Sequence, residues 1–341
     1  MDASVDPCVD FDQFACGNFY KTTQLQEGET QRTSFSALVD KNTENLRVIL
    51  EEGIKPEDWD YVKKMKIYYQ SCIDEIIPGP EGLKPYLDSD FAKEYPTLIG
   101  QNWTGDATFD LDAVNTKYMG FFVDALFSFK ILPGLMDSTT YTLRLVDPNL
   151  GLTTKFLLRP RTDSVLLAYE AYLRKLALLL GADPAVAAQD AKDVVDMQIE
   201  LAKIIVPKEE RRDNSKKYNP MTLAEIARNY SFIDIPRALR SEFSKGNVSL
   251  SDDQVVTVLF PSYFEKLEAV LANANKRTLM NLYSSMYAKN KLLKRTNEMR
   301  ELYLEWQMAL KGKTEETPRW QTCFNDVTYA FSLAERFLKS A

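Results

Sequence analysis

The chain has 341 residues, 45% of them hydrophobic, and a formal net charge of −7 with a pI near 5.0. That length supports about two ordinary domains or one large one, and an acidic surface of this kind repels phosphate backbones, so nucleic acid is not an expected partner. No stretch approaches the roughly 20 apolar residues that span a bilayer, so no membrane span is expected.

Val5 to Phe19 packs Cys8 and Cys16, three acids and three phenylalanines into one short amphipathic stretch. Met1 leads straight into Asp2-Ala3-Ser4, with no signal peptide ahead of it, which suits a fragment started at a cloned Met. Pro56 opens a predicted helix that runs to Asp74, with Tyr61, Met65, Tyr68 and Cys72 on one face at steps of four and three. Gly120 to Leu132 and Thr140 to Val146 predict a β-hairpin across Pro133-Gly134. Asp163 caps a helix reaching Leu180, with Gly181 as its stop. Asp183-Pro184 begins another, which ends before Pro207. The mixed-sign run Lys208 to Asp213 is expected to be solvated. Thr222-Leu223-Ala224-Glu225 has capping-box spacing, and Val255 to Phe260 is a short β-branched run. Ser262 to Lys311 predicts two or three helices. Thr317-Pro318 starts the last one, with Trp320, Cys323, Val327, Ala330, Ala334 and Phe337 as its apolar stripe. The expected fold is mainly α, a multi-helix domain with a small β hairpin or sheet element.

The chain contains no histidine. It therefore has no HExxH helix for zinc, and no Ser–His–Asp or Cys–His pair, because the general base is missing. No glycine-rich phosphate loop is present either. Among 49 acidic residues nothing singles out a catalytic pair. Cys72 and Cys323 each lie on the apolar face of a predicted helix, so on pattern alone they are either a helix–helix disulfide or two buried thiols. Cys8 and Cys16 are free to pair with each other, to stay reduced, or to await partners elsewhere. Three sequons, at Asn102, Asn229 and Asn247, point toward glycosylation and secretion.

Several segments together carry a family resemblance. They are Asp6-Pro7-Cys8, Asp10-Phe11 and Phe14-Ala15-Cys16-Gly17-Asn18-Phe19; then Asp147-Pro148-Asn149-Leu150-Gly151-Leu152; then Arg211-Arg212-Asp213 leading to Tyr218-Asn219-Pro220-Met221-Thr222-Leu223; and finally Arg319-Trp320 with Cys323. They resemble, in order, the amino-terminal extracellular part of the neprilysin and endothelin-converting-enzyme zinc metallopeptidases, peptidase family M13. The resemblance implies residues 1–33 as an arm that tethers to a catalytic domain, and residues 34–341 as a mostly helical lid. It implies that the catalytic zinc domain is absent here. The lid would enclose a cavity that limits substrates to peptides. It implies no cofactor in this chain, zinc being held by the missing carboxy-terminal domain, which is the expected partner. It implies a Cys72–Cys323 bond within the lid, and bonds from Cys8 and Cys16 to the catalytic domain. Without that domain those two are expected to be free thiols, or to bond each other, in a poorly ordered arm. It implies that Arg32, in Thr30-Gln31-Arg32-Thr33-Ser34-Phe35, reaches the carboxy-terminal end of a bound peptide. The spacing to Phe35 is one residue shorter than in the relatives that do this, and the other reading is a surface Arg before a helix starting near Ser34. The chain is expected to be extracellular, secreted or part of a membrane-anchored ectodomain, and inactive by itself. The competing reading is a naturally truncated, catalytically dead homologue that binds peptides or a protein.

Overall fold

The computed structural model describes residues 1–25, 29–33, 35–74, 80–94, 103–292 and 296–332. Its helices, in chain order, are α1 (Phe11–Thr22), α2 (Ser36–Glu51), α3 (Asp60–Asp74), α4 (Lys84–Leu87), α5 (Asp90–Glu94), α6 (Leu111–Met119), α7 (Thr154–Leu157), α8 (Ser164–Leu179), α9 (Pro184–Ile204), α10 (Leu223–Asn229), α11 (Ile235–Ser244), α12 (Pro261–Ala272), α13 (Lys276–Lys291), α14 (Asn297–Lys311) and α15 (Arg319–Ala330). Four strands, β1 (Ser128–Pro133), β2 (Tyr141–Val146), β3 (Pro220–Thr222) and β4 (Val255–Val258), form one sheet in the order β1-β2-β4-β3. The fold is thus mainly α with a small sheet. The described residues divide into two compact units, one from residues 1–77 and 307–341, the other from 78–306.

In the first unit, three helices make a small core. Leu46 and Leu50 of α2, Met65 and Tyr69 of α3, and Cys323, Phe324 and Val327 of α15 are buried together. The steps of four are what place each pair on one helix face. The Tyr69 hydroxyl donates to Glu51 Oε1 at 3.0 Å, so its polar tip is satisfied at the edge of this core. Lys66 is buried to 3% exposure, and its ammonium donates to Asp58 Oδ2 at 2.7 Å and to the Gly53 carbonyl at 3.1 Å. That pairing explains a difference from the sequence reading. Asp58 is held in the turn before the helix, accepting also from the Lys55 N–H, so α3 starts at Asp60 rather than at Pro56. The arm expected to be loosely ordered instead forms α1, whose N-cap Asp10 accepts from the Gln13 N–H at 2.9 Å. The predicted stripe positions Ala334 and Phe337 lie outside the described residues.

In the second unit, α8 and α9 form an antiparallel pair whose facing sides are buried: Leu166, Tyr169, Leu173 and Leu176 on one, Ala187, Ala191, Val194 and Leu201 on the other. Both starts are as predicted, with the Asp163 and Asp183 side chains accepting from Val165 and Ala185 N–H. Gly181 terminates α8 at φ +85°: its N–H and that of Ala182 return to the Leu178 and Ala177 carbonyls, the closure that wants a left-handed residue. The Thr222–Glu225 capping box forms with both of its bonds.

The long region from Ser262 resolves into α12, α13 and α14. Helix α13 is buried all round from Leu279 to Ala288, and its polar residues find partners. The Tyr283 hydroxyl donates to Asn115 Oδ1 at 2.8 Å, and Ser284 lies 3.1 Å from the Tyr118 hydroxyl. Arg277 at its start grips the buried Asp190 of α9 through two bonds of 2.8 and 2.6 Å.

The hairpin is shorter than expected, with Gly120 to Phe127 spent on turns and loop. Strand β2 pairs in parallel with β4, and β3, which the sequence did not signal, completes the other edge.

Candidate functional site

The R-W-x-x-C segment of α15 is where the first unit is joined most densely. Cys323 is disulfide-bonded to Cys72 of α3, with Cα atoms 5.7 Å apart. One turn earlier, the Arg319 guanidinium donates to the carbonyl of the same Cys72. Trp320 lies under the guanidinium of Arg47 on α2, 4.3 Å from it to the ring centroid, a cation–π contact. Arg47 also bonds Glu51, which holds the Glu51 carboxyl below its ordinary range. Three residues of one motif thus reach two other helices.

Arg32 stands just ahead of α2. Its guanidinium donates to both Glu29 carboxylate oxygens, at 3.0 and 3.1 Å, and to Asp40 of α2. Those bonds, the Asp40 one foremost, raise its pKa further and leave the side chain only 14% exposed. The fork that would receive a carboxylate is thus already holding two. Beside it, Phe35, Leu38 and Val39 are exposed. They lie on the side of α2 that further along carries Leu46, Ile49 and Leu50 into the core, with the polar Asn42 and Thr43 between the two groups. The start of α2 therefore carries a single exposed apolar turn, next to a held cation.

In the second unit the Asp147 and Arg211 segments meet. Arg211 makes a two-bond ion pair with the Asp147 carboxylate, donates to the Val206 carbonyl at 2.7 Å, and lies 4.5 Å over the Phe260 ring. Asp147 is buried. In the same segment, a Cβ at Gly151 would sit 2.0 Å from the Tyr169 hydroxyl and 2.8 Å from Gln198 Nε2, so only glycine fits. Its carbonyl accepts from Lys289. The Asp147–Arg211 and Gly151–Lys289 ties join residues 64 and 138 positions apart, which is why local pattern did not reveal them.

Cys8 is an exposed free thiol and Cys16 a half-buried one. Asn229 and Asn247 are exposed, and Asn102 lies outside the described residues. Zinc does not fit the donors present. The chain has no histidine, Cys72 and Cys323 are oxidised, and among the described residues no three of His, Cys, Asp or Glu are grouped to hold a metal. No helix among the described residues is long and apolar enough to cross a membrane.

The mostly helical fold with its small sheet matches a known class of chain. Residues 7–338 match the amino-terminal model described as peptidase family M13. The chain belongs to that family, as its amino-terminal region. It is 24% identical to Neprilysin-2 of Drosophila melanogaster, 27% to an endothelin-converting enzyme homolog of Locusta migratoria and 27% to human neprilysin. These alignments cover 96%, 100% and 96% of this chain but only 43%, 48% and 46% of the relatives. The chain therefore spans less than half the length of the curated relatives it matches. Among solved structures, the Mycobacterium tuberculosis zinc metalloprotease ZMP1 in complex with an inhibitor superposes with a TM-score of 0.76 at 18% identity, over 96% of this chain and 49% of that one. PepO from Lactobacillus rhamnosis gives 0.69 at 14%, over 94% and 49%. That likeness shows a shared fold.

Proposed function

We propose that this chain is the non-catalytic lid region of a neprilysin-type zinc metalloendopeptidase, extracellular and glycosylated. In the joined enzyme it encloses the substrate cavity and admits peptides by size, while zinc and its ligands belong to the carboxy-terminal domain. The observation that supports this best is the start of α2: Phe35, Leu38 and Val39 stand exposed there, on the side of the helix that further along enters the core, beside Arg32. Apolar residues left exposed in sequence with buried ones mark a surface that another part of the protein covers. Cys8 and Cys16 are thiols available to bond that part, and Arg32 is the group placed to meet a peptide carboxylate, in exchange for Glu29 or Asp40.

The test has two arms. The purified chain, given a quenched fluorescent peptide with and without zinc, is expected to show no turnover, because no base–metal pair can form without histidine. Chelator-sensitive turnover in protease-free material overturns the reading. Co-expressed with an M13 carboxy-terminal catalytic domain, the chain is expected to associate with it and to bridge Cys8 and Cys16 to it. Failure to associate, together with measurable peptide binding by the chain alone, identifies a stand-alone binding module instead.

A further inference from the structure

We infer that the sheet of the second unit carries a binding site for a tetrahedral oxyanion of the phosphate or sulfate class, centred on Arg144 with Lys130 and Thr257 beside it. The strand register places these residues in one row across three strands. Lys130 of β1 stands directly opposite Arg144 of β2, and Arg144 opposite Thr257 of β4. Residues paired in this way share one face of a sheet, and their neighbours along each strand take the other. The other face carries the buried Leu143, Leu145, Val256 and Val258, and is the core side. The cationic row lies on the opposite face.

Like charges directly opposite each other destabilise a strand pair, and the sheet offers nothing to offset these two. None of its four strands contains an aspartate or a glutamate. Arg144 is only 7% exposed, and its guanidinium donates to neutral oxygens alone, Thr142 Oγ1 at 3.3 Å and the Pro133 carbonyl. Among the described residues neither Arg144 nor Lys130 forms an ion pair, and Asp124 senses the Lys130 charge without bonding to it. Arg211 and Arg277 of the same unit are different. Their side chains are 26% and 18% exposed, and each still holds a carboxylate through two bonds. The most deeply buried of the three guanidinium groups is thus the one without a counter-charge, and a buried cation is costly until an anion pairs with it.

The donors define the ligand. Arg144 brings a planar fork, Lys130 a point charge, and Thr257, itself 4% exposed, a hydroxyl that makes no hydrogen bond among the described residues. An anion with oxygens in several directions can use all three at once, where a planar carboxylate would be taken up by the fork alone. Lys130 is exposed, so an ion reaches the row from water at its β1 end.

Inorganic phosphate is titrated against the full chain and followed by its phosphorus NMR line width, with chloride exchanged out to hold the ionic strength constant. The expected result is broadening that saturates with protein and is reversed by sulfate. Lys130→Gln, at an exposed position, should weaken binding about tenfold, the worth of one charge-assisted hydrogen bond. Arg144→Met should abolish it. Lys266→Gln, an exposed lysine of α12 away from the sheet, should bind as the unsubstituted chain does. Circular dichroism checks that each variant is folded, and if Arg144→Met is not, Lys130→Gln decides alone. Absence of saturable broadening with the unsubstituted chain overturns the site, as does unchanged binding by Lys130→Gln. An equal loss in Lys266→Gln overturns it too, because binding would then follow net charge rather than this row.

Discussion

In the first unit seven buried residues drawn from α2, α3 and α15 make up the core cluster, whereas in the second a single helix, α13, buries ten consecutive residues and both α8 and α9 bury whole faces. The covalent bond lies in the smaller core. So do the cation–π contact of Arg47 with Trp320 and the paired, buried Lys66. A small core removes little apolar surface from water, and cross-links and directed polar contacts then carry a larger share of its stability. The second unit needs no staple, because hydrophobic burial at about 25 cal/mol per Å² accumulates over many more side chains.

The largest expected effect tests that contrast directly. The bond closes a sequence separation of 251 residues, nominally about 5 kcal/mol in the chain-entropy account. If the second unit remains folded, the free chain inside the loop shrinks to residues 73–77 and 307–322, and the expected loss on Cys72→Ala with Cys323→Ala falls to about 3 kcal/mol. Hydrogen exchange should show α2, α3 and α15 losing protection while α13 keeps its own. Equal loss in both would mean that the two units do not unfold separately.

A matching lesion in the second unit is Arg211→Met, which strands the buried Asp147 carboxylate and is expected to cost about 3 kcal/mol. Adding Asp147→Asn should recover part of that loss. A double-mutant cycle by denaturant titration measures the coupling, and no recovery would show that Arg211 acts through Val206 and Phe260 instead.

Acid separates the two units next. In the first unit the Asp58 carboxyl is held below its ordinary value, first by the Lys55 N–H and then by Lys66, so its contribution is lost as pH falls through that lowered value. Asp124 of the second unit is the opposite case. Burial pushes its carboxyl up to about 6, with Glu242 adding to the shift and Lys130 opposing it. The unfolded chain ionises near 3.8 while the folded one keeps the proton. The favourable contribution is therefore full below that value and is lost as pH rises through about 6. Asp124→Asn should match the parent chain near pH 4 and exceed it in thermal midpoint above about pH 7. An equal gain at both would put the effect in packing rather than charge.

The smallest effect compares two helix ends within the second unit. Both α6 and α8 close with a left-handed residue, Phe122 at φ +62° and Gly181 at φ +85°. Gly181→Ala should destabilise by about 1 kcal/mol, although the added carbon meets nothing. Phe122→Gly should stabilise by up to about 1 kcal/mol, the strain of an exposed aromatic in that conformation being relieved. Melts of the two variants moving in the same direction would break the assignment.

Much of this was legible in the residue order, and each legible feature depends on neighbours within about four positions. The Asp163, Asp183 and Thr222 caps, the Gly181 stop and the hairpin strand at Thr140 to Val146 are local bargains between one side chain and the next turn of backbone. The absence of histidine likewise excluded a zinc-peptidase site in this chain before any coordinates. Tertiary structure alone decided the rest. It determined that Arg32 is already held by Glu29 and Asp40, that Asp147 belongs to Arg211, that Gly151 is required by Tyr169, and that α13, polar in its sequence, is the most deeply buried helix of its unit. The physical reason is the same in each case. Periodicity shows that a face is apolar or that a charge exists, but which partner covers the face or neutralises the charge, whether three residues away as Glu29 is from Arg32 or 64 away as Asp147 is from Arg211, is selected only by packing.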